Sequence, residues 1–164
     1  MKLKSLVLGT AAALSVASMA IADRGSDGHV NIIYWQAPSI LNPYLSGGTK
    51  DVESSSMIIE PLARYNQDGE LTPWLVTEIP TVANGGVSAD LMSITWNITP
   101  GIKWSDGSAF TAHDVVFSGE YCMDPDGGCA QSNKLADVSN IEALDDLTVK
   151  VSFSVAKPFP YGPF

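Results

Sequence analysis

The chain has 164 residues, 45% of them hydrophobic and 16% charged, with a formal net charge of −9. That is the balance of a water-facing globular protein of about one domain, since domains run roughly 100–200 residues. No lysine–arginine run offers the basic footprint that nucleic acid requires, and the acidic surface by itself favours solubility without naming a ligand.

The first 22 residues read as a secretory leader. Lys2 and Lys4 form a positive start, residues 6–20 are apolar and uncharged, and Ala20-Ile21-Ala22 offers an A-x-A cleavage site before Asp23. A membrane anchor is the alternative, but the apolar stretch falls short of the ~20 residues a span needs. No cysteine stands near the cleavage point, so lipid attachment there is not expected. Residues 23–28 are polar and loose in this reading.

Residues 30–35 are nearly continuously apolar, the pattern of a strand covered on both faces. Pro38 and Pro43 bracket a turn-rich stretch, and residues 45–50 form a loop in which Gly47 and Gly48 remove side-chain bulk. Asp51 is placed to cap a helix over 52–62 that buries Met57, Ile58 and Leu62 and is kinked or ended by Pro61. Residues 63–65 are extended, 66–69 turn, and 71–75 pack at an edge. A polar loop follows over 82–90. Residues 91–99 alternate apolar with polar as a strand, Pro100-Gly101 reverses the chain, and 102–104 make a short partner strand.

The clearest helix signal is Thr111 with Asp114 three residues on, a capping-box spacing. Ala112, Val115, Val116, Gly119 and Cys122 then share one face. Residues 141–144 turn through Asp145-Asp146 into 147–155, whose alternation is that of a half-buried strand. The tail from Lys157 is proline-rich and apolar, which argues that the chain continues past Phe164.

Two cysteines, Cys122 and Cys129, flank a turn-rich segment. In an exported protein such a pair reads as a disulfide closing a small loop, with two unpaired thiols as the alternative. Zinc needs two further ligands, and His29 and His113 are far off in sequence. A calcium loop from Asp124 fails because its twelfth position is Leu135. No metal and no cofactor are expected.

Catalytic signatures are equally thin. Gly47-Gly48-Thr49-Lys50 lacks the first glycine of a phosphate loop, and no G-x-S-x-G elbow occurs. His113 and Asp114 are helix neighbours that do not face each other. No pair of carboxylates is singled out for glycoside hydrolysis. The chain therefore reads as a non-enzyme, with a secreted hydrolase as the alternative from a different class. Among the aromatics, Trp96 and Trp104 read as packing. Trp35 ends the first strand, where α/β proteins gather ligands, and is a candidate ligand contact.

The run from Trp104-Ser105-Asp106-Gly107 through Thr111-Ala112-His113-Asp114-Val115-Val116-Phe117-Ser118 resembles the signature of the extracellular solute-binding proteins, family 5. These are the peptide, nickel and oligosaccharide binding components of ABC importers. Leu41-Asn42-Pro43-Tyr44 is similar to the family's "lnP" segment, and Glu60-Pro61-Leu62-Ala63-Arg64-Tyr65 with Asp68-Gly69 and Pro73-Trp74-Leu75 matches a second motif, all in family order. The resemblance implies a mixed α/β (α+β) fold of the periplasmic binding protein type II class, present here incompletely. It implies that residues 23–59 begin a split first domain and that 60–164 cover most of a small β-rich second domain, with a third domain absent.

It also implies a function. Ligand is captured between two lobes and handed to a membrane permease, and the binding protein acts in the periplasm as a monomer. In peptide-binding members the ligand backbone pairs with the stretch after "lnP", here Ser46, Gly47, Gly48 and Thr49. Glycines permit the close approach of another backbone. Peptide is the expected ligand and oligosaccharide the alternative, because Trp35 offers a ring on which a sugar can stack.

Overall fold

The computed structural model describes residues 28, 29 and 31–162. The expected leader, residues 23–27, Val30 and the last two residues lie outside them. The chain divides into two compact units, Met1–Ile33 and Tyr34–Phe164. In the first, the described residues carry no helix or strand. The strand expected over 30–35 is therefore corrected. Residues 31–34 join no ladder, and an apolar run becomes a strand only where a neighbour accepts its backbone hydrogen bonds.

The second unit runs α1 (Thr49–Ser55), β1 (Ala63–Tyr65), β2 (Leu71–Pro73), β3 (Ser93–Asn97), α2 (Ala112–Met123), a 3-10 turn (Ser132–Leu135), β4 (Val138–Asp145) and β5 (Thr148–Phe153). β1 and β2 form an antiparallel hairpin, closed by the expected turn in which Gly69 takes a positive φ of 79°. The main sheet is antiparallel in the order β3-β5-β4. Its core face is the one the alternation predicts. Ile94 and Trp96 on β3 and Ile98 just beyond it are buried, with Val149, Val151 and Phe153 on β5 and Ile141 on β4. Ile94 pairs with Val151 and Trp96 with Val149, so large side chains meet across the strands. Burying each such side chain contributes about 1.5–3 kcal/mol.

Helix α2 packs on β4 and β5 through Ala112, Val115, Gly119 and Cys122, all buried. Its start is as expected. The Thr111 amide donates to Asp114 Oδ2 at 2.7 Å and the Thr111 hydroxyl to the same oxygen at 3.1 Å. The outer edge of β3 is covered by the preceding loop, where Thr77 N donates to Asn97 O and Thr95 N to Gly86 O. Only glycine fits at 86, since a Cβ there would stand 2.6 Å from Pro80 Cβ.

Two more expectations are corrected. Residues 102–104 do not partner β3, whose edges are already taken. Instead Lys103 bridges Ala109 across the Ser105-Asp106-Gly107 turn, and the Trp104 ring packs edge-on against Phe110 at 5.5 Å. Helix α1 is also not the expected 52–62. It has seven residues, its N-cap is Gly48, and Asp51 lies buried inside the first turn. Its end comes early because the Ser55 and Ser56 hydroxyls donate back to the Asp51 and Glu53 carbonyls, and Ile58 N and Ile59 N both turn to Ser55 O. Met57 and Ile58 are consequently exposed, at 64% and 60%, and Pro61 lies beyond the helix and kinks nothing. Leu62 is buried as expected.

Candidate functional site

The loop over 46–49 is held from one side by Asp51. Asp51 Oδ1 accepts from the amides of Ser39 at 2.6 Å and Ile40 at 3.4 Å, and from Lys50 Nζ at 2.8 Å. Oδ2 accepts from the Ser46 hydroxyl at 2.7 Å, and the Ser46 oxygen accepts in turn from Gly48 N at 3.1 Å. Lys50 also donates to Ser39 Oγ. One carboxylate thus fixes residues 39–40, the loop and the start of α1 together. The Lys50 ammonium first, then the Ser46 hydroxyl and the Ser39 amide, hold the Asp51 carboxyl far below the usual carboxylate range.

From the other side the loop is held by residues distant in sequence. Gln131 Nε2 donates to Pro43 O and Ser46 O, each at 3.3 Å, and Ala130 N donates to Tyr44 O at 2.7 Å. Tyr44 itself packs against the core. Burial pushes its phenol up, and a side-chain hydrogen bond with Ser118 opposes the shift. A disulfide joins Cys122, near the end of α2, to Cys129. The segment carrying Ala130 and Gln131 is therefore covalently tied to the helix.

Between these anchors Gly47 is exposed, and a Cβ built on it would meet nothing within 4 Å. Gly48 is tighter, with Ser46 Oγ at 3.4 Å and Asp51 Oδ2 at 3.5 Å from such a Cβ. Thr49 is exposed at the first position of α1. The arrangement presents a short, rigidly mounted stretch of backbone that another chain can approach. Trp35 is not a member of this hydrogen-bonded set. It is 70% exposed, and its ring lies 6.2 Å from that of Tyr34.

Two cavities open in the second unit, the smaller with the loop anchors Pro43, Tyr44 and Gln131 in its lining. One of about 300 Å³ lies by Tyr44, Ile59, Leu62, Phe110 and Ser118, and one of about 480 Å³ by Tyr65, Lys134, Asp137, Phe153 and Lys157. None of Trp35 and 46–49 lines either. His113 is exposed, 3.8 Å from an exposed Asp146. Among the described residues no cluster of three His, Cys, Asp or Glu stands ready for a metal.

Sequence reasoning missed both anchors. Asp51 was legible as a polar residue at a helix start, and the flanking Ser39 and Ser46 were its only further signal. Gln131 carried no signal, because its partners lie 85 and 88 residues away.

Comparison with known proteins gives this geometry its context. Residues 70–164 match the family described as bacterial extracellular solute-binding proteins, family 5 Middle. The oligopeptide-binding protein OppA of Bacillus subtilis (strain 168) is 28% identical over 137 residues, which cover 76% of this chain and 23% of OppA. The glutathione-binding protein GsiB of Pectobacterium atrosepticum is 36% identical over 78 residues, 48% of this chain and 14% of GsiB. The crystal structure of Haemophilus influenzae OppA in complex with RPPGFSPFR shares the fold, with a TM-score of 0.68 at 23% identity, covering 76% of this chain and 26% of that one. The chain thus spans about a quarter or less of the length of these relatives. The family match takes in β2, the main sheet, the capped helix and the disulfide loop, and the chain belongs to the bacterial extracellular solute-binding proteins, family 5.

Proposed function

We propose that this chain forms one wall of the ligand cleft of a peptide-capturing solute-binding protein that serves an ABC importer. The observation that carries the reading is the exposed Gly47 backbone, mounted between the Asp51 network and Gln131. An extended peptide offers alternating N–H and C=O groups, and pairing with a fixed loop backbone gives affinity without reading side chains. Relatives named for binding oligopeptides and glutathione support peptide as the ligand class. Ser46, Gly47, Gly48 and Thr49 are the proposed contacts, with Trp35 as an aromatic contact nearer the start of the chain.

In this reading residues 1–22 direct export and are removed, 23–59 begin the first domain, and 60–164 form most of the second. Ligand shifts an open–closed equilibrium toward the closed form, which docks as a monomer on the permease. The protein binds and releases its ligand unchanged.

Titration calorimetry of the whole mature protein with di- to nonapeptides tests the proposal, with mass spectrometry of the peptide recovered afterwards. Saturable binding of intact peptide is the expected result. Absence of binding across the series, or recovery of cleaved peptide, overturns it. N-terminal sequencing of the exported protein should start at Asp23.

A further inference from the structure

We propose that Gln131 is a positioning residue for the ligand loop, and that the Cys122–Cys129 disulfide holds Gln131 in place to do so. The inference rests on the reading of 46–49 as the peptide contact.

Tethers on the loop fall into two kinds. Those to Asp51 are local, linking 39, 40, 46 and 50 to a residue of the same stretch, so they fix its internal shape. They do not fix where that stretch sits on the α2–sheet body. The loop's backbone is secured to that body at residues 130–131, where Ala130 N bonds Tyr44 O and Gln131 Nε2 bridges Pro43 O and Ser46 O. Ser46 is the pivot between the two sets. Its hydroxyl faces Asp51 and its carbonyl receives Gln131, and Gly47 follows directly.

Gln131 in turn stands on a short arm. Cys122 is fully buried in the α2 face, and Cys129 is buried two residues before Gln131. The intervening turn is itself fixed. Asp126 N donates to Asp124 Oδ1, and a Cβ at Gly127 would stand 2.5 Å from Tyr121 O. The covalent link carries the position of α2 through Cys129 to the Gln131 amide. From there it passes to the carbonyl beside the exposed glycine. A glutamine suits this place because one NH₂ group supplies two donors, one for each carbonyl.

The test uses Gln131→Glu in the whole mature protein, which keeps the shape and removes both donors. Amide hydrogen exchange is read at Leu45 and Gly48, whose amides bond Asn42 O and Ser46 Oγ, and at Val149 and Val151 in the sheet. Expected is a rise on the order of tenfold at the loop amides with the sheet amides unchanged. The ratio to the parent should fall back below about pH 4.3, where a protonated glutamate regains one O–H donor. A Cys122→Ser/Cys129→Ser double variant should raise loop exchange as well. Loop exchange equal to the parent's in Gln131→Glu, or a rise shared evenly with the sheet, overturns the proposal. Affinity for trialanine, measured on the same samples, separates the two ideas. A parent that ignores trialanine and longer peptides defeats the peptide reading, while the exchange pattern still decides whether Gln131 sets the loop.

Discussion

A single carboxylate, Asp51, gathers two backbone amides, a hydroxyl and an ammonium. Its titration gives the loop a defined acid limit. The folded carboxyl sits well below its ordinary value of 3.8, and the unfolded chain keeps the ordinary one. The stabilisation is therefore fully present above about pH 4 and is lost as pH falls through the depressed folded value. The amide chemical shifts of Ser39 and Gly48 should hold steady from pH 7 to 4 and move only below the ordinary carboxylate range. A midpoint at or above 3.8 would count against the network. In Asp51→Asn that acid transition should vanish. Gly47 makes the complementary case. Open space surrounds it and its φ is not positive, so Gly47→Val should change unfolding stability by less than about 0.5 kcal/mol. Peptide affinity should nevertheless drop by more than tenfold, because the branched side chain occupies the space a ligand backbone needs. Equal affinity for the two proteins would remove Gly47 from the proposed contact.

At the scale of elements, what was legible follows from how local each cause is. The alternation at Ile94, Trp96 and Ile98, and at Val149, Val151 and Phe153, is a two-residue period, and every one of those residues is buried. The Thr111–Asp114 spacing needs only three residues and closes as expected. Asp114→Ala should cost about 1 kcal/mol in denaturant unfolding, and a Thr111→Ala, Asp114→Ala pair little more, since both act on one cap. Helix α1 was misread because its limits depend on partners outside it. Ser39 and Ser46 draw Asp51 into the first turn, and that contact has no periodic trace. The loop's docking on Gln131 was hidden for the same reason. The disulfide was legible from two cysteines flanking a turn-rich segment, read together with the expectation of export, although its consequence for the loop was not. Replacing both cysteines with serine should lower stability by about 2.5 kcal/mol, the loop-entropy value for so short a ring.

At the scale of the whole protein, the proposed reading makes this chain one wall of a two-lobed binder, and one wall alone would not make a trap. Affinity in a two-lobed binder comes from closing both lobes on the ligand, and a loop backbone alone offers a handful of hydrogen bonds worth roughly 0.5–1.5 kcal/mol each. Those gains at best reach the lower part of the association cost of about 4–15 kcal/mol, leaving little or nothing over for net affinity. The isolated 164-residue chain should therefore show no saturable peptide binding, while the full-length protein should bind and compact. Driving such an equilibrium from 1:99 to 99:1 needs a closed state that prefers ligand by about 10⁴-fold, or ~5.5 kcal/mol. Small-angle scattering measures this directly. The radius of gyration of the whole protein should fall at saturating peptide, and Gly47→Val should need more peptide to reach the same compact value. An unchanged radius at full occupancy would mean that ligand is held without hinge closure, and the loop would then have to carry the affinity unaided, which its few backbone groups cannot supply.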